Sequence, residues 1–183
     1  MRYAHLTAVF LIALFFCGSS EAKEWKIDPS SRLTFTGSQG GEAFHGSFSS
    51  FHAKVDFDPA HPETSRIDVT IDMASAKTGD KQRDESLPLK DWFDSKNFPQ
   101  AEFHASEVQK LSDTQFEAKG KLTIKSITKD VVLPFTLKPE RDVTRAQGEL
   151  VIDRTAFNVG TGEWLSEELV GHKVTIGVDL VAN

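Results

Sequence analysis

From residue 24 onward the chain alternates apolar and polar residues with period two, the pattern of strands that bury one face. SRIDVTIDM sets Ile67, Val69, Ile71 and Met73 against Arg66, Asp68, Thr70 and Asp72. FHAKVDF sets Phe51, Ala53, Val55 and Phe57 against His52, Lys54 and Asp56, and AEFHA aligns Ala101, Phe103 and Ala105. HKVTIGVDLV aligns Val174, Ile176, Val178 and Leu180. Further strands near Arg32–Thr36, Phe44–Phe48, Gln115–Lys125, Val131–Lys138 and Arg145–Ile152 bring the expectation to eight or nine. One apolar and one charged face per strand belongs to antiparallel sheets wetted on one side. The fold class is therefore all-β, as a sandwich or a closed barrel.

Three local features qualify this pattern. The step from Phe48 to Phe51 breaks the alternation, so a bulge or corner is expected at Ser49–Ser50. Pro134 lacks a ladder donor, so its strand should be interrupted or exposed at an edge there. The long interruption TGDKQRDESLPLKDWFDSKNFPQ (78–100) predicts a short polar helix over Asp80–Ser86, then a second helical turn starting at Pro88. Its apolar side carries Leu87, Leu89, Trp92, Phe93 and Phe98, suited to capping the end of the sheet, to acting as a lid, or to both.

Two strands share one motif: AKGKLTI and AQGELVI repeat Ala118, Gly120, Leu122 and Ile124 as Ala146, Gly148, Leu150 and Ile152. Their apolar faces are small at one end and large at the other. Glycine within a strand marks a bulge, a bend or a close approach. Either the small positions widen the interior for a ligand, or they only let the wall coil and face bulky neighbours such as Phe103 and Phe135. On the first reading a bulky side chain at Ala118 or Gly120 should block uptake in a folded protein.

Composition narrows the classes. Residues 1–22 have the layout of a secretory signal: Arg2, the apolar run LTAVFLIALFF and a small-residue site at SEA, with cleavage expected after Ala22. Cys17 raises a lipoprotein alternative, which the bulky Phe16 before it opposes. The remaining chain, 23–183, has neither cysteine nor tyrosine and forms one domain held without disulfides. Cleavage removes one Arg and one Glu, so the net charge stays −6, a poor match to nucleic acid or anionic membrane. The expected location is the periplasm.

No nucleophile–base arrangement stands out, so no catalytic residue is assigned. His45, His52, His61, His104 and His172 occur singly, without ligand spacing, so no metal is expected. Arg83–Asp84 is the most suggestive charged pair, read as an ion pair or cap of the helical segment or as a polar rim of a site; Asp153–Arg154 carries the same ambiguity. GTGEWL lacks the lysine of a phosphate loop and reads as a turn with Trp164 as an apolar cover.

GKLTIKSITKDVVLPF, RDESL…DWFDSKNFPQAEFHAS and RTAFNVGTGEWLSEELVGHKVTIGVDL, with EWKIDPSSRLTF and HGSFSSFHAKVDFDP before them, resemble the YceI-like family of exported bacterial proteins over nearly all of 24–181. The resemblance implies a lipocalin-like, eight-stranded antiparallel barrel with a short helical segment (about 79–98), enclosing an apolar tunnel that binds polyisoprenoid chains such as quinone tails. It places Phe116, Ala118, Gly120 and Leu122 on the inward strand face, and Trp92, Phe93 and Phe98 on the helical segment. With the inward aromatic and aliphatic positions Phe35, Phe48, Phe57, Ile71, Phe103 and Phe135, and with Trp164, these form the candidate lining; Arg83 and Asp84 form the candidate rim. The chain departs from the family pattern at Ser126, Asp130 and Ser86, which stand where glycine, proline and histidine are usual.

The expected function is carriage or sequestration of an isoprenoid or quinone-type amphiphile, with no cofactor beyond that ligand. A membrane-associated donor or acceptor would be its partner. A solid-cored interaction or stress-response module and an enzyme on a lipid-like substrate are the alternatives.

Overall fold

The computed structural model describes residues 24–183; the segment 1–22 expected to be a secretory signal, with Cys17 and its lipoprotein alternative, lies outside them. Ten antiparallel strands form one sheet: β1 (Arg32–Gln39), β2 (Glu42–Phe48), β3 (Phe51–Asp56), β4 (Arg66–Asp72), β5 (Ala76–Lys77), β6 (Gln100–Lys110), β7 (Gln115–Ile124), β8 (Ile127–Glu140), β9 (Val143–Asp153) and β10 (Lys173–Ala182). Their order is β3-β4-β6-β7-β8-β9-β10-β1-β2-β5. The two ends of that order meet. β2 runs into β3 across Ser49–Ser50, and β4 runs into β5 across a single 3-10 turn, Met73–Ser75. Because β3 pairs with β4 while β2 pairs with β5, each couple acts as one bent strand. The wall thus has eight positions, which reconciles ten hydrogen-bonded segments with an eight-stranded barrel.

Serine chemistry holds the double corner. The Ser50 amide donates to Ser75 Oγ at 3.2 Å, and the Asp72 amide donates to the Ser50 carbonyl at 3.0 Å. These bonds satisfy backbone groups that the bend takes out of the ladder. At the opposite end of the barrel, residues 24–28 thread between β3 and β10. The Trp25 amide donates to Val55 O and the Asp28 amide to Val181 O, both at 2.8 Å.

The excursion 78–99 departs from expectation in one part. α1 (Lys81–Ser86) forms with Asp80 as its cap, the Asp80 carboxylate accepting the Arg83 amide at 3.0 Å. From Pro88 the chain makes a series of turns instead of a second helix. Asp94 sits at φ 50°, outside the right-handed helical region, and the Trp92 amide reaches back only to Leu89.

Pro134 lies within β8, paired across to Glu117 on β7, and on its other side the β8–β9 ladder begins only at Phe135↔Gly148. The interruption predicted at this proline is present on the β9 side alone. The β7–β8 hairpin turns on Lys125 (φ 49°) and Ser126 (φ 61°), a two-residue connection requiring positive φ at both positions.

Candidate functional site

The barrel is filled at one end and hollow above it. Phe57, Phe116 and Phe135 form the filled layer, with Phe57–Phe116 centroids 5.4 Å apart and Phe116–Phe135 stacked at 5.5 Å. Beside it lies a chamber of about 100 Å³, counted as space open to the centres of water-sized molecules. A single water needs roughly 10–15 Å³ on that measure. The chamber is lined by apolar groups including Leu33, Val55, Val69, Phe103, Leu133, Leu150 and Val178, with Trp25 covering it. Trp25 is fixed by donation from Nε1 to Phe57 O at 3.0 Å.

A second chamber of about 90 Å³ lies toward the 78–99 excursion, lined by Phe35, Phe44, Phe48, Leu87, Trp92, Phe93, Ile124, Phe157 and Val174 among others. Ile71 on β4, Leu122 on β7 and Ile176 on β10 border both chambers, so they form a waist between them. A third hollow, of about 180 Å³ and more polar, shares Phe44, Leu87, Trp92 and Val170 with the second chamber. Gln39, Asp80, Gln82, Arg83 and Ser86 complete it as a vestibule.

Arg154 is the charged side chain of the second chamber, and it is 3% exposed. Its five N–H donors are all used by backbone carbonyls: Nε to Gly171, Nη1 to Val159 and Gly160, and Nη2 to Trp164 and Val170. Burial pulls its pKa downward, opposed by Asp153. The guanidinium therefore organises the loop 154–171 over the barrel end and leaves no donor for a guest. Lys125 Nζ fixes the same end, donating to Lys90 O at 3.0 Å and Asn158 O at 2.8 Å. The 88–98 turns are tied to that loop as well, since Gly160 and Thr161 amides both donate to Asp91 O.

The expected lining divides. Phe57, Phe103 and Phe135 face the first chamber, Phe35, Phe48, Trp92 and Phe93 the second, and Ile71 and Leu122 both. Trp164 covers the vestibule, its ring 5.6 Å from that of Trp92. Phe98 is half-buried and borders neither chamber. Phe116, Ala118 and Gly120 also border neither. Phe116 and Ala118 are fully buried in packed wall. A Cβ on Gly120 would stand 2.5 Å from His104 O, where β6 bulges between Ala105 and Glu107. Gly120 is small because the neighbouring backbone crowds it, which corrects the reading of a wide level at that position. Its counterpart Gly148 does face the first chamber, although Pro134 O approaches it just as closely.

The rim pair also divides. Arg83 lines the vestibule, with Nη1 donating to Gln39 Oε1 at 3.1 Å and its guanidinium 4.9 Å from the Phe44 ring centroid. Asp84 turns inward to Thr78, accepting its amide at 2.6 Å and its hydroxyl at 2.9 Å, so it caps the segment. Among the described residues no cluster of three or more His, Cys, Asp or Glu could hold a metal. Sequence reasoning missed the aliphatic lining from Leu133, Leu150, Ile176 and Val178; their inward parity was the available signal.

The chain matches the YceI-like domain over residues 25–182. Protein YceI of Escherichia coli is 30% identical over 78% of this chain and 76% of its own. A UPF0312 protein of Photorhabdus laumondii is 32% identical over 67% of this chain and 65% of its own length. Among solved structures, BcnA of Burkholderia cenocepacia superposes with a TM-score of 0.83 at 37% identity, over 86% of this chain and 100% of that one. A polyisoprenoid binding domain from Saccharophagus degradans, implicated in plant cell wall breakdown, shares the fold at 12% identity, with a TM-score of 0.67 over 89% of this chain and 98% of that one. With its domain match and its barrel in agreement, the chain belongs to the YceI-like family.

Proposed function

We propose that this protein binds a single long apolar chain, of polyisoprenoid or quinone type, threaded through the waist between its two chambers, and carries or sequesters it after export to the periplasm. The observation that supports this most is the pair of chambers in series behind a polar vestibule, with Ile71, Leu122 and Ile176 common to both. A hollow barrel interior lined by hydrocarbon suits a narrow flexible guest. The polyisoprenoid binding named for the Saccharophagus domain of the same fold points in the same direction.

The energetics suffice without charged contacts. Each buried CH₂ contributes about 0.8 kcal/mol, so a five-carbon unit contributes roughly 4 kcal/mol. Association costs on the order of 4–15 kcal/mol. A few units in preformed chambers therefore reach about micromolar affinity, near −8 kcal/mol.

The vestibule constrains the head group. Its cation Arg83 stands 3.9 Å from the carboxylate of Asp80, so little net positive field faces the opening. A neutral, carbonyl-bearing head group fits this rim better than a diphosphate. Binding needs no covalent step, and Arg83, Gln39, Gln82 and Ser86 offer only hydrogen-bonding contacts. Organic extraction of the purified protein with mass spectrometry tests the reading. A stoichiometric prenyl or quinone species is expected; a clean extract together with no uptake of an added prenylated quinone overturns it.

A further inference from the structure

The barrel wall is not sealed evenly. β7 and β8 pair along the whole of their shared length, from Ile124↔Ile127 to Gln115↔Thr136. β8 and β9 pair only from Phe135↔Gly148 to Glu140↔Val143. Below that point Ile127–Pro134 of β8 and 149–153 of β9 form no ladder with each other. Pro134 stands at the limit: its carbonyl oxygen lies 2.5 Å from where a Cβ on Gly148 would stand, and the residue has no amide hydrogen to offer a ladder.

Side-chain exposure follows the gap. Lys129 pairs with Leu122 and shares its inward side of the wall, yet Lys129 is exposed while Leu122 is buried at the waist. Val132 on β8 and Val151 on β9, the outward positions flanking the gap, are 45% and 59% exposed. Directly behind it, Leu133 and Leu150 line the first chamber and Ile152 the second. The gap has firm ends: the Phe135↔Gly148 pair above and the Lys125 Nζ bond to Asn158 O, 2.8 Å, below. Along this stretch side chains, apolar apart from Lys129, and no β8–β9 ladder separate solvent from the waist.

We propose that this unpaired β8–β9 seam is a lateral portal through which an alkyl or prenyl chain slides sideways into the two chambers, its head group remaining outside. The proposal rests on the apolar-guest reading above. Opening the seam parts side chains only, whereas entry anywhere along β7–β8 would break backbone hydrogen bonds. Lateral entry also spares a long chain from threading end-first past Trp92, which the loop 154–171 and its Arg154 hold in place.

Quenching of Trp25 and Trp92 by a decyl-substituted benzoquinone, followed by stopped flow, reads entry directly. Val151→Cys in a Cys17→Ser background, coupled to a bulky maleimide, should slow entry and release by about tenfold with little change in Kd. The same label on Lys54→Cys should leave the rates alone. Pro134→Thr, which restores the missing donor, should also slow both rates by extending the ladder. Unaltered rates in both the labelled Val151 protein and the Pro134 variant, with quenching intact, overturn the portal and leave guest binding standing. Absence of quenching in the unmodified protein overturns the guest reading, and the portal with it.

Discussion

The guanidinium carbon of Arg154 lies 5.6 Å from the centroid of the Trp92 ring, so one buried cation joins the loop over the barrel end to an aromatic wall of the second chamber. Its five donors meet five carbonyls of the segment 159–171. Arg154→Lys keeps the charge but supplies three donors for those five acceptors. Stranding two buried carbonyls at about 1–3 kcal/mol each should destabilise the fold by roughly 2–6 kcal/mol. Urea unfolding measures the loss, and amide exchange should show it concentrated in 159–171. Undiminished protection of Val170 and Gly171 would mean that other contacts hold the loop.

Gly120 and Gly148 occupy the same place in their shared motif, but their substitutions should part company with ligand uptake. Gly120→Ala places a methyl against His104 O on the bulged strand, with no chamber behind it. It should cost about 1–3 kcal/mol as overpacking, and the folded fraction should bind a prenylated quinone normally. Denaturant midpoint and quinone titration separate the two effects. Weakened binding at unchanged stability would return Gly120 to the lining.

That pair also shows what local sequence carries. The inward parity of Ile67–Ile71, Phe51–Val55 and Ile176–Leu180 is written residue by residue, because alternate side chains of a strand must take opposite faces. The corner at Ser49–Ser50 and the break at Pro134 were legible for equally local reasons: a lost alternation and a lost donor. Whether a small residue borders a void or a neighbouring backbone is not local. It depends for Gly120 on the bulge beyond Ala105, and for Gly148 on where a ladder two strands wide comes to an end. Leu150 and Ile176 look the same in sequence whether they fill a core or line a hollow. Arg154 read as half of a charged dipeptide because its carbonyl partners arrive from residues that only the loop's path brings near.

Ser126 stands at φ 61° in the β7–β8 turn, beside Lys125 at φ 49°. A left-handed conformation costs an L-residue roughly 1–2 kcal/mol, which glycine avoids at some entropic expense. Ser126→Gly should therefore raise stability by about 1 kcal/mol. Lys125→Gly should do the opposite, since it deletes the bonds from Nζ to Lys90 O and Asn158 O. Thermal unfolding of the two variants should move in opposite directions; movement in the same direction would show that the lysine contacts carry no weight.

The Thr78 amide, more than any other group, holds the Asp84 carboxyl below its ordinary pKa. A lowered folded-state pKa means that the cap contributes fully above the unfolded value, near 3.9, and that its contribution fades as pH falls through the lowered value. Asp84→Asn should therefore unfold at a lower temperature than the parent protein at pH 7, and the difference should shrink toward pH 3. A gap of constant size across that range would assign the effect to packing instead of ionisation.

The waist offers the most direct control of guest length. Ile176 projects between the two chambers opposite Ile71 and Leu122, and both hollows end on it. Replacing it by tryptophan should close the passage while leaving room on either side, at an overpacking cost of about 1–3 kcal/mol. A quinone tail of one or two prenyl units, held in the second chamber alone, should bind nearly as before. Longer tails should lose the contribution of every unit that can no longer cross, roughly 4 kcal/mol per unit, so affinity should stop rising with tail length. Titrating a series of tail lengths against the parent protein and Ile176→Trp checks this. Parallel length dependence in the two proteins would place the guest somewhere other than the line through Ile71, Leu122 and Ile176.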